Sequence, residues 1–147
     1  AYLRMAEDPA GAAREDAWIN DKTYNDDLVA AYRGRRQELL VTARKAYEES
    51  LDVLNLLANP NTPKALNYRG YATRKLGRID EGIGFYRQSV ALDPRYASVR
   101  EYLGEAFVIK GDIARARTEL RAIRRICGTG CEEYQDLAKA IAERPRS

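Results

Sequence analysis

The chain has 147 residues and a mass of 16.6 kDa, the size of one ordinary domain with a real core. Its 45% hydrophobic and 32% charged residues and mean hydropathy of -0.57 suit a soluble, helix-rich protein, and no apolar run approaches the roughly 20 residues a bilayer crossing needs. There is no histidine, which removes His-based acid/base catalysis, Ser-His and Cys-His nucleophile pairs, and histidine-containing zinc or haem sites.

The net charge of +3 is too small to imply a strong field for nucleic acid, but it is unevenly spread. Residues 1–27 hold seven acidic side chains (Glu7, Asp8, Glu15, Asp16, Asp21, Asp26, Asp27) against three basic ones. Residues 1–24 therefore read as an acidic N-terminal extension, solvated or loosely docked, with Trp18 and Ile19 available to pack on the body. No apolar run behind basic residues marks a leader at Ala1.

Residues 25–62 show helical spacing: Leu28, Val29 and Tyr32, then Leu39, Leu40, Ala43, Tyr47, Leu51, Leu54 and Leu57. Gly34 is the one breaker. The expectation is a short helix to Arg33, a turn at Gly34, and a long helix to Leu57 closed by Asn59-Pro60-Asn61-Thr62-Pro63.

Beyond Pro63 the chain repeats itself. Tyr68-Arg69-Gly70-Tyr71-Ala72 matches Tyr102-Leu103-Gly104-Glu105-Ala106, and Leu76-Gly77-Arg78-Ile79 matches Lys110-Gly111-Asp112-Ile113, each pair 34 residues apart. In residues 63–96, Leu66, Gly70, Ala72 and Leu76 form the stripe of a first helix that ends at Gly77. The second helix buries Ile79, Gly82, Ile83, Tyr86, Ser89, Val90 and Leu92 and stops at Asp93-Pro94. Residues 97–130 repeat the plan, with Tyr102, Leu103, Gly104, Ala106 and Phe107 on one helix. Asp112 caps the next, whose inward set is Ile113, Ala116, Leu120, Ile123 and Ile126. Gly70 facing Gly82, and Gly104 facing Ala116, would let each pair of helices approach closely.

This pattern resembles the tetratricopeptide repeat. Gly70, Gly77, Gly82, Tyr86, Ser89 and Pro94 fall, in order, where that family asks for a small residue, glycine, a small residue, an aromatic, a small residue and proline. The second unit supplies Leu103, Gly104, Phe107, Gly111, Ala116 and Leu120 and departs at Ile123 and Gly128. The resemblance implies an all-α stack of antiparallel helix hairpins, a solenoid, with residues 25–62 as a degenerate repeat or helical N-cap. Residues 131–147 would be a capping helix and tail, with Tyr134, Leu137, Ala138 and Ile141 facing inward and the end fraying after Pro145.

Cys127 and Cys131 bracket Gly128-Thr129-Gly130. Residues four apart on a glycine-rich turn bring their Cα atoms within the range a disulfide allows; two free thiols are the other reading. A metal is not expected, because two thiols without histidine or a second cysteine pair do not complete a zinc shell. The Cys-Gly-x-Gly-Cys-Glu-x-Tyr segment after a repeat pair is similar to small exported bacterial proteins of the same family, which implies the periplasm and a bridge, the cytoplasm being the alternative.

No catalytic constellation is present. Asp26-Asp27 and Glu132-Glu133 are sequence neighbours that diverge on a helix, and Gly77, Gly82 and Gly84 do not form a phosphate loop, so neither an enzyme nor a cofactor is expected. Arginines cluster at 33, 35, 36 and at 121, 124, 125, but acidic residues are interspersed through the body and no base-stacking sheet is predicted, which argues against nucleic acid. In the repeat architecture the first helices line the concave side, which assigns peptide contacts to Lys64, Asn67, Tyr71 and Arg74 and to Glu101 and Glu105, beside Ser98 and Val108. Arg74 and Glu105 are also placed to pair with each other. Asn67 and Tyr71 stand where some family members clamp a terminal carboxylate with lysine and asparagine, so that clamp is not implied. The expected function is a non-enzymatic module that binds a partner protein or peptide. The alternative is self-association, as a homodimer, through the long N-terminal helix or a repeat end.

Overall fold

Six helices make up most of the computed structural model, which describes residues 26–145, with side chains from Arg33 onward. They are α1 (Asp26–Asn55), α2 (Pro63–Lys75), α3 (Ile79–Leu92), α4 (Ala97–Lys110), α5 (Ile113–Cys127) and α6 (Glu132–Ala142), and the described residues contain no strand. The expectations for Trp18, Ile19 and the acidic lead lie outside the described residues. Contacts divide the chain into two units, Ala1–Glu49 and Ser50–Ser147.

In the first unit α1 runs unbroken through Gly34, so the expected turn there is wrong. A lone glycine costs a helix only about 1 kcal/mol relative to alanine. Gly34 keeps a negative φ, lies outside any proline's reach, and is followed by the helix formers Arg35, Arg36, Gln37 and Glu38. Ion pairs one turn apart, Arg35 to Glu38 at 3.3 Å and Arg44 to Glu48 at 3.6 Å, add a little on its exposed side. Leu39, Leu40, Ala43 and Tyr47 keep the expected stripe and are half-buried.

The second unit is the hairpin stack. Thr62 caps α2 by accepting from the Ala65 N–H at 3.1 Å, and Asp112 caps α5 from the Arg115 N–H at the same distance. Both hairpins turn on a left-handed glycine, Gly77 at φ +89° and Gly111 at φ +80°. At each, the following amide closes the helix end, Arg78 N–H onto the Thr73 carbonyl and Asp112 N–H onto the Phe107 carbonyl. The core joins Ile83 and Tyr86 of α3, Val99, Leu103, Ala106 and Phe107 of α4, Ala116 and Ile123 of α5, and Leu137 and Ile141 of α6.

The small residues act as expected in the first hairpin. A Cβ on Gly82 would lie 2.8 Å from the Gly70 carbonyl, and one on Gly70 would lie 2.6 Å from the Tyr86 ring. Ser89, fully buried, donates its hydroxyl to the Pro63 carbonyl at 2.7 Å and ties the end of α3 to the start of α2. The second hairpin differs. The atoms nearest a Cβ on Gly104 all belong to Leu137, at 2.5 to 3.2 Å, so this glycine is a socket for α6 before it is a crossing point with Ala116.

One expected core residue, Leu92 at the end of α3, is exposed, and so is Tyr68 on α2, which stands where the next unit has Tyr102. Tyr102 is half-buried against Tyr71 and Tyr86 of the preceding hairpin; Tyr68 lies on the first helix of this unit, and Lys64 Nζ lies 6.0 Å from its ring.

Candidate functional site

Successive first helices lie side by side, α2 beside α4 and α4 beside α6, and the six candidate residues fall on the face they build. Their exposure is unequal. Lys64 is exposed, Tyr71 and Glu105 are half-buried, and Asn67, Arg74 and Glu101 are buried.

Arg74 is the hub, because its guanidinium is the cation that α2 directs toward α4. Its Nη2 pairs with Glu105 Oε2 at 3.5 Å, its Nε–H donates to the Tyr86 hydroxyl at 3.4 Å, and the group lies 5.5 Å from the Tyr71 ring centroid. Lys75 Nζ approaches the same ring at 5.4 Å, and Tyr102 packs tilted on it at 5.3 Å. Tyr71 is therefore an aromatic platform held between two cations and a second ring. Asn67 sits deeper than its position implies: its Nδ2–H donates to the Tyr96 hydroxyl at 3.4 Å, and its Oδ1 is buried without a hydrogen-bond partner among the described residues.

The acidic end of the face is on α4 and α6. Burial first, and then the charge of Glu105, pushes the Glu101 carboxyl up to about 8, so it holds a proton at neutral pH and donates it to Glu105. Asp136 and Glu133 of α6 push the same way. Burial also raises Glu105, against the pull of Arg74 and Lys75. The Tyr86 hydroxyl, out of water, is pushed up to about 12 despite Arg74 beside it, and Tyr102 is raised by burial and by Glu101.

The face is thus an Arg–Glu–Glu–Tyr network with most of its bonds made internally, flanked by exposed Lys64 and by Ser98, whose hydroxyl donates to Glu133 at 3.4 Å. On the opposite side a recess of about 270 Å³ lies between α3, α4 and α5, where the Arg87 and Arg115 guanidiniums rest 5.7 and 6.0 Å from the Phe107 ring. Cys127 and Cys131 stand with sulfurs 2.17 Å apart and Cα atoms 6.0 Å apart.

The family profile of the tetratricopeptide repeat matches residues 31–97 and 74–130, two overlapping stretches that together cover well over half of the chain. The chain belongs to the tetratricopeptide repeat family. The match also reaches into α1, where the 34-residue pattern is weakest by eye. No curated protein matches the sequence. As a class these repeats are non-enzymatic modules for protein–protein interaction. Among the described residues no helix is long and apolar enough to cross a membrane.

Sequence reasoning missed three members of this face. Tyr96, which carries no assignment from the repeat pattern, is the partner of Asn67. Glu133 and Asp136, given no role from the sequence, both act on the Glu101 carboxyl, and Glu133 also lies near the two cysteines. For Glu133 the signal available was its place one turn before Leu137, on the side of α6 that meets Gly104 of α4.

Proposed function

We propose that this protein is a non-enzymatic repeat module that holds an extended, mixed-charge peptide of a protein partner along the α2–α4–α6 face. The observation that carries this reading is the polarity of the face: Lys64, Lys75, Arg74 and Tyr71 lie on α2, and Glu105, Glu133 and Asp136 lie on α4 and α6. A peptide with an acidic half and a basic half satisfies both ends. Because Arg74 and Glu101 are committed to internal partners, the contacting groups in this reading are Lys64, Tyr71 and the outer oxygens of Glu105 and Asp136.

Selection of a mixed-charge decapeptide library on the purified protein tests it. Tyr71→Ala and Lys64→Glu should each weaken the selected peptide roughly tenfold, about 1.4 kcal/mol, with far-UV circular dichroism unchanged. Arg121→Ala on exposed α5 should leave binding alone. Equal affinity for all three variants would remove the assignment.

A Cys127–Cys131 bridge, and with it an oxidising compartment such as the periplasm, belongs to the same proposal; the proximity of the sulfurs supports it. Intact mass with and without reductant, differing by about two mass units per chain, reads the bridge directly.

Self-association is the second reading, favoured by Val41, Val53 and Leu56, which are 59%, 61% and 84% exposed along α1 and just after it. Light scattering across micromolar concentrations should then show a dimer that Val53→Lys with Leu56→Lys disperses. A monomer at every concentration rules that reading out.

A further inference from the structure

The corner between α5 and α6 gathers donor atoms that peptide binding does not use. Cys127 ends α5, Cys131 caps the N-terminus of α6, and Glu133 stands in the first turn of α6. Both Sγ atoms and a carboxylate oxygen of Glu133 lie within 4.8 Å of one another. We propose that, once the two sulfurs are reduced, this corner binds one thiophilic divalent cation, zinc or cadmium, through both thiolates and the Glu133 carboxylate. The corner shares Glu133 with the acidic end of the proposed peptide face, but neither cysteine is among the contacts assigned there.

The chemistry of the donor set points there. Two thiolates and one carboxylate from a single chain leave the fourth tetrahedral position to water, which is the open arrangement zinc adopts with three protein ligands. Glu133 supplies the donor that counting cysteines and histidines overlooks. Its Oε1 accepts from the Ser98 hydroxyl at 3.4 Å, a contact that helps orient the carboxylate. The exposed Cys127 gives an ion a way in.

The loop can also change its span. On a tetrahedral ion with bonds of about 2.3 Å the two sulfurs sit roughly 3.7 Å apart, so the chain between them must open slightly. Gly128, at φ +77°, and Gly130, with open space around it, provide that freedom. Reduction by an external dithiol converts the bridge to two Cys thiols and the reductant to its cyclic disulfide. Binding of the ion then replaces both thiol protons, which pass to solvent. Bridge and metal are mutually exclusive occupants of one corner, so the thiol state of the compartment selects between them.

The test uses the full chain, reduced with a dithiol, desalted under nitrogen and titrated with Cd²⁺. Thiolate-to-cadmium charge-transfer absorption reports the sulfur ligands, and an indicator dye reports protons. Saturation at one ion per chain with release of about two protons is expected, and no band in the oxidised protein. Cys131→Ser should abolish the band. Glu133→Gln should keep it but weaken affinity roughly tenfold or more, with Glu133→Asp in between and helix content unchanged by circular dichroism. Saturation at one ion per two chains, an affinity untouched by Glu133→Gln, or no band in the reduced chain would each overturn the proposal.

Discussion

Gly70→Ala is expected to lower the unfolding free energy of the full chain by about 2–3 kcal/mol in urea, although alanine is the better helix former by about 1 kcal/mol. The new Cβ would lie 2.6 Å from two ring carbons of Tyr86 and 3.0 Å from the Gly82 carbonyl. Neither can withdraw. The carbonyl belongs to the facing helix, and the Tyr86 ring is fully buried, bonded through its hydroxyl to Arg74 and stacked on Tyr102 at 6.3 Å between centroids. Gly84→Ala is the matched control: it lies in α3, has nothing within 4 Å of its would-be Cβ, and should gain up to about 1 kcal/mol. Adding Tyr86→Leu to Gly70→Ala should cost less than the sum of the two single changes, because the second substitution removes the atoms the first collides with. Equal effects at Gly70 and Gly84 would mean that helix spacing is not set at this crossing point.

The same contrast separates what the sequence discloses from what it hides. Gly70, Gly77, Gly82 and Tyr86 were legible because each is required locally, by a turn or by the hairpin crossing, at a fixed offset within one 34-residue unit. Gly104 was assigned the same crossing role, but Leu137 fills the space beside it, and that contact joins residues from different units of the pattern. Gly34 misled in the other direction, since a breaker acts only when its neighbours are poor helix formers or its φ turns positive. On the α2–α4–α6 face, position along the repeat told which side Asn67, Arg74 and Glu101 occupy, and the Arg74 to Glu105 pairing could be anticipated from it. Their burial could not be: Asn67 meets the Tyr96 hydroxyl and Arg74 the Tyr86 hydroxyl, contacts that join residues 29 and 12 positions apart.

That burial has a consequence for pH that an exposed binding face would lack. The Glu101 carboxyl titrates near 8 in the folded chain against an ordinary value near 4.5, because it is desolvated and faces Glu105 on its own helix and Glu133 and Asp136 on α6, with Arg74 and Lys75 of α2 acting through Glu105. Between those two values the folded state holds a proton that the unfolded state has released. Stability from this group is therefore complete below about 4.5, falls as pH rises, and is fully lost above about 8. Glu101→Gln, which keeps a hydrogen-bond donor toward Glu105 and cannot ionise, should match the parent near pH 4.5 and exceed it above pH 8 by on the order of 2–4 kcal/mol. Chemical denaturation of both proteins across that range reads the difference, in which the titration of every other carboxylate largely cancels. A difference that stays flat with pH would mean that Glu101 is ionised throughout, and the acidic end of the face would then carry one more negative charge at neutral pH than the network described above.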